Sequence, residues 1–303
     1  MKRFVTSLLF IFLLWFAIDR VGELGLSWLN RHSHDTTSPK IRHITNGVSE
    51  DVIMMGTSRC NGHYVPSIIS ETLGMSVYNA GIDGSDNIFA QYMALCYILQ
   101  KHTPKVICLE VQNSFLEEEE ESFKTTGYFA PYFGQCASAD SVFRQTGSFW
   151  LYKLSHLYRY NTIVLANITG QVKNYWNHAE NGYIPNPEPE VFPETTVWET
   201  EHVDISEEKR DYMERFVQIC RKKHIFLCFV ISPACSKVDN SFYSCLRNFA
   251  NTHQTPLLDY HTVGLYVNNP DYFKDNFHLW DKGARLYSFV FAKDLQKLVS
   301  KNL

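Results

Sequence analysis

From residue 50 onwards, short apolar runs alternate with amphipathic stretches. Val52–Met55, Ser76–Tyr78, Val106–Val111, Ile225–Ile231 and Leu257–Tyr260 are rich in β-branched residues or bounded by Gly or Pro. That pattern predicts strands buried on both faces, as in a parallel sheet. Between them, Ile88–Gln100 carries Phe89, Met93, Leu95, Cys96 and Leu99 at helical spacing. Ser206–Lys223 opens with Glu207 and Glu208 and closes with Arg221, Lys222 and Lys223, charges that suit the two ends of a helix dipole. A last amphipathic helix is predicted over Arg285–Val299. The alternation implies an α/β fold: a three-layer, open, mostly parallel sheet with helices on both faces.

The rhythm stops between about residues 117 and 203, which read as an insertion crowded with aromatics, among them Tyr128, Phe149, Trp150, Tyr152 and Trp176. Its middle, Phe149–Val172, is helix-like, and Tyr183–Pro193 is an extended, Pro-rich loop. Two readings of the aromatics stay open, packing within the insertion or stacking against a sugar or acyl chain.

At the N-terminus, Met1-Lys2-Arg3 precedes the apolar run Phe4–Ile18, followed by Asp19 and Arg20. This predicts a signal anchor over residues 1–20, with residues 4–18 in the inner membrane and the rest on the extracytoplasmic, periplasmic side. A cleaved signal peptide and a buried N-terminal helix are the alternatives. Residues 21–48 are read as a stalk and 49–303 as the folded domain.

The 303 residues, 45% hydrophobic and 20% charged, suffice for a large core. A formal charge of -4 removes any global attraction for nucleic acid. None of the eight cysteines forms a Cys-x-x-Cys pair, and they read as buried thiols, with a Cys235/Cys245 bridge as the alternative. No zinc-ligand spacing, Walker A loop, Gly-x-Gly-x-x-Gly or His-Glu-x-x-His occurs, so no metal or cofactor is expected. A Gly-x-Ser-x-Gly elbow is excluded because Cys60 stands at its second glycine.

Chemistry is expected at Gly56-Thr57-Ser58-Arg59, on the first strand-to-helix turn, because ligands of open α/β sheets bind beyond the carboxyl ends of the strands. A serine hydroxyl needs a base, and Asp275-Asn-Phe-His278 supplies a histidine with a carboxylate three residues away.

These blocks, in this order, resemble the SGNH (GDSL-like) hydrolase family over roughly residues 50–300, with the insertion unmatched. The resemblance implies that Ser58 is the nucleophile, although Thr57 replaces the family's usual Asp, and that His278 is the base oriented by Asp275. Asn79-Ala-Gly81-Ile-Asp-Gly84 resembles the second block and points to Gly84, or alternatively Gly81, as an oxyanion-hole donor beside the Ser58 N–H. The third block is a poorer match: Val111-Gln112-Asn113-Ser114 stands where the family has Gly-x-Asn-Asp, and Asn113 is carried over as the side-chain donor. Arg59, the candidate substrate contact, and His63 each have surface or packing readings beside the substrate-contacting one. Asp259-Tyr-His261 is a rival carboxylate–histidine pair, Cys60 a neighbour of the nucleophile, and Glu117–Glu121 a solvated acidic face.

The resemblance implies an extracytoplasmic serine esterase or O-acyltransferase acting on acyl, most simply acetyl, esters of a cell-envelope or secreted carbohydrate. A membrane partner delivering the acyl donor is implied for the transferase case. The contrasting expectation is a non-catalytic glycan-binding or assembly factor on the same fold; a membrane-tethered scaffold whose insertion binds a partner is the third.

Overall fold

The computed structural model describes residues 1–84, 87–112, 115, 124–194, 206–235, 241–263, 266 and 269–302. In chain order the elements are α1 (Lys2–His32), α2 (Ser38–Gly47), β1 (Val52–Met55), α3 (Ser58–His63), α4 (Pro66–Leu73), β2 (Val77–Asn79), α5 (Ile88–Leu99) and β3 (Val106–Glu110). The insertion contributes α6 (Ala137–Asp140), α7 (Val142–Gln145), α8 (Phe149–Leu154) and α9 (Val164–Val172), with 3-10 turns at Lys124–Tyr132 and Leu157–Tyr160. The chain then continues through α10 (Glu207–Lys222), β4 (Phe226–Ile231), α11 (Ser241–Thr252), β5 (Leu257–Asp259) and α12 (Asp281–Asn302).

All five strands are parallel in the order β2-β1-β3-β4-β5. This is the flavodoxin-like doubly wound order, whose switch point lies between β1 and β3. Alternate strand residues feed two cores, which is why the runs read as continuously apolar. Ile53, Met55, Ile107, Leu109 and Phe229 pack with α2, α5, α10 and α11 on one face. Val52, Met54, Val106, Cys108 and Val230 pack with α4 and α12 on the other. Ser206 caps α10, its hydroxyl accepting from the Lys209 N–H at 3.4 Å.

One feature differs from the expectation. Residues 21–48 are not a stalk: α1 runs unbroken to His32, and α2 with the residue after it places Ile41, Ile44 and Val48 in the core. Its apolar positions fall at i, i+3 and i+7, one helical face in an otherwise polar stretch. Phe149–Val172 is helix-like as expected, divided into α8, a 3-10 turn and α9. Seven of the eight cysteines are buried, and Cys245 is exposed. The acidic run Glu117–Glu121 lies outside the described residues.

Candidate active site

Ser58 opens α3 directly beyond the carboxyl end of β1. Gly56, at φ +148°, makes the turn possible: a Cβ there would stand 2.8 Å from the Cys60 Cβ and 2.9 Å from the Glu110 carbonyl oxygen. Thr57 is fully buried and caps the turn, its carbonyl accepting from the Asn61 N–H at 2.9 Å. Its hydroxyl accepts from the Gln112 amide at the end of β3. The hydrogen-bonding position after Gly56 is therefore filled without an acid.

From the opposite end of the chain, the loop before α12 brings His278 to the serine. Ser58 Oγ lies 2.9 Å from His278 Nε2, and His278 Nδ1 lies 2.9 and 3.0 Å from the two Asp275 oxygens. Asp275 Oδ1 also accepts from the Phe277 and His278 N–H groups, each at 2.9 Å. Burial raises the Asp275 carboxyl, but the imidazole and these two N–H donors outweigh it and hold it at about 2. An ionised Asp275 fixes the proton on Nδ1, leaving Nε2 as the acceptor for the serine proton.

The two oxyanion glycine candidates part here. The Gly81 N–H donates to Asn79 Oδ1 at 3.0 Å and so is engaged inside the turn, whereas Gly84 is exposed at φ +69°. A Cβ on Gly84 would meet the Tyr128 hydroxyl at 3.3 Å, so the insertion reaches this position. Asn113 lies outside the described residues.

Of its two readings, Arg59 takes the packing one and not the substrate contact. It is 6% exposed, and its guanidinium meets Glu110 at 3.3 Å and Ser232 at 3.1 Å, at the ends of β3 and β4. Burial opposes its charge, yet the fully buried Glu110 outweighs that and raises it. Ser232 donates to Glu110 at 2.8 Å and receives His63 Nδ1 at 3.0 Å. On the other side of the ring, the Leu279 N–H donates to His63 Nε2 at 2.9 Å. A backbone donor at Nε2 requires the His63 proton to sit on Nδ1, so the ring is neutral. Burial, then Arg59 and His278, push His63 well below the usual imidazole range. His63 thus has a packing role, joining the helix of the nucleophile to the loop of the base.

Two further supports hold the second block. Asn79 donates to the Cys60 and Tyr64 carbonyls at 2.7 and 2.9 Å. Lys40, fully buried on α2, donates to the Gly81 carbonyl and to Asn61. Burial lowers this ammonium to about 7. The Pro-rich loop braces the site from outside: Asn186 donates to the Leu279 carbonyl at 2.9 Å, and Tyr183 to Asp281 at 2.8 Å.

The rival pair is engaged elsewhere. Asp259 binds His261 and, at 2.8 Å, Arg247, while His261 stacks on Tyr243 at 4.1 Å. Burial, then Glu110, push the Cys60 thiol well above its usual range, so it is no thiolate nucleophile. Glu110, Ser232 and Lys40 were not singled out in the sequence. A glutamate ending an otherwise apolar strand is the one available signal, since a buried charge there demands a partner.

No family model and no curated protein matches the chain. Among solved structures, it is similar to a chain from Desulfitobacterium hafniense DCB-2 named as a lipolytic protein of the G-D-S-L family, at 11% identity and a TM-score of 0.41. That match covers 80% of this chain and 97% of the other. It is also similar to a chain from Bacteroides fragilis NCTC 9343 named as an acylhydrolase, at 13% identity and a TM-score of 0.40, covering 82% and 86%.

Proposed function

We propose that this protein is an SGNH-type serine esterase or O-acyltransferase, held in a membrane by α1, that cleaves acyl esters of an extracytoplasmic carbohydrate. The observation that carries the proposal is the hydrogen-bonded line Ser58 Oγ–His278 Nε2, His278 Nδ1–Asp275. In the proposed reaction His278 takes the Ser58 proton as Oγ attacks the ester carbonyl, and Asp275 stabilises the resulting imidazolium. The oxyanion forms against the Ser58 N–H, at the first turn of α3, and the Gly84 N–H. His278 then returns the proton to the departing alcohol. Water or a sugar hydroxyl, deprotonated by the same imidazole, releases the acyl group from Ser58.

Support for the membrane part comes from α1, a 31-residue helix long and apolar enough to cross a bilayer, whose apolar run is almost wholly exposed. The carbohydrate substrate follows from the sequence resemblance to anchored, glycan-associated SGNH proteins. The complete triad favours catalysis over glycan binding alone. The test is acetate release from an acetylated oligosaccharide, with and without a second sugar as acceptor. Release that requires Ser58 supports the esterase, and acetyl appearing on the acceptor identifies the transferase. Sugar binding unaffected by Ser58→Ala, with no acyl chemistry, would replace the proposal with the binding role.

A further inference from the structure

We propose that the aromatic-rich insertion is a foot on the membrane surface: α8 lies at the headgroup level of the bilayer crossed by α1, with Trp150, Leu151 and Leu154 against lipid. The inference rests on reading α1 as a membrane anchor.

The position follows from how α1 is clasped. Asp19 ends the apolar run and is buried, although the helix around it is exposed. Its carboxylate accepts from the Ser155 hydroxyl and from the His156 and Leu157 N–H groups, the last two at 2.9 and 3.2 Å. One turn further, Glu23 binds His156 Nδ1. The three residues directly after α8 are therefore fixed at the depth where the apolar run of α1 ends.

Length places that depth at the lipid boundary. The fifteen residues Phe4–Ile18 rise about 22 Å at 1.5 Å per residue, against a hydrocarbon core of about 30 Å. The deficit draws the next turn of α1, where Val21 and Leu24 are exposed, toward lipid. Asp19 does not resist this, because its carboxylate is already satisfied by the clasp. The clasping segment is carried to the headgroup layer with it.

The chemistry of α8 suits that layer. Tyr152 points into the core against Phe133 and Phe143, while Trp150 is 62% exposed and Leu151 and Leu154 also face outward. Lys153 Nζ stands 4.9 Å over the Trp150 ring, and Arg144 4.4 Å over Phe149. Amphipathic rings with long cationic side chains beside them are the side chains that settle between hydrocarbon and water. Lipid is the occupant because the patch ends directly before the segment that clasps Asp19, where the apolar run of α1 stops.

The full-length protein in nanodiscs of phospholipid brominated near the headgroup end of its acyl chains, compared with unbrominated discs, provides the test. Emission differences between wild type and Trp150→Phe, and between wild type and Trp15→Phe, isolate each tryptophan. The expected result is bromine-dependent loss of both contributions. Quenching of Trp15 without Trp150 overturns the foot while sparing the anchor, and leaves the α8 face to a protein partner or to water. No quenching of either overturns both.

Discussion

The Leu279 N–H, one residue beyond the proposed base, donates to His63 Nε2 at 2.9 Å, and His63 ends the six-residue helix that Ser58 begins. Nucleophile and base, 220 positions apart, are held in register through one neutral imidazole. Its other nitrogen rests on Ser232. His63→Leu leaves the buried Leu279 N–H without its acceptor, which costs about 1–3 kcal/mol, while the Ser232 hydroxyl keeps Glu110 and Arg59. The expected outcome is a clear loss of stability in denaturant titration, with kcat reduced more than KM rises.

Asp275→Asn isolates the tautomer. Its carbonyl oxygen can still accept the Phe277 and His278 N–H groups, but its amide donates toward His278 Nδ1 and moves the proton to Nε2. The base then faces Ser58 with a donor. A fall in kcat on the order of 10⁴-fold is expected, with folding retained, as for the same change in a serine protease triad. Acidification to pH 4 should not reproduce that loss through Asp275, whose carboxyl titrates at about 2. Activity measured over pH for both forms checks this.

Glu110→Gln breaks the ion pair beneath the nucleophile. Arg59 then stays buried without its counter-charge, and removing one partner of a buried pair typically costs about 3–5 kcal/mol. Urea unfolding should show a loss in that range. Arg59→Met combined with Glu110→Leu should recover most of it.

Lys40 gives stability a pH dependence of known sign. The ammonium titrates at about 7 in the folded protein and at its ordinary value of 10.5 in the unfolded chain. Between these values the unfolded chain binds more protons, so this group makes stability rise with pH from about 7 to about 10.5 and leaves it flat below. Unfolding free energies at pH 7 and 9.5 should show the rise in wild type and its loss in Lys40→Met. Because Lys40 also holds the Gly81 carbonyl, that variant should lose activity even at pH 7.

The sheet was legible because its central strands β1, β3 and β4 are buried on both faces and read as almost unbroken apolar runs. The pairing of His278 with Asp275 was legible because both lie on one loop, three residues apart. Arg59 stayed open between substrate contact and packing because its partners, Glu110 and Ser232, come from the ends of β3 and β4, and only the topology brings those ends under β1. The stalk reading of residues 21–48 failed because the core-facing Ile41, Ile44 and Val48 are diluted by polar neighbours. Lys40 in particular has the composition of a surface residue, yet it is fully buried.

The central claim is an activated Ser58, and a fluorophosphonate probe tests it most directly. Full-length protein in detergent, treated with the probe and analysed by intact mass, should gain one adduct. That adduct should be absent from Ser58→Ala and nearly absent from His278→Ala. A folded wild-type protein that stays unlabelled, or a Ser58→Ala variant that still labels, would contradict the account.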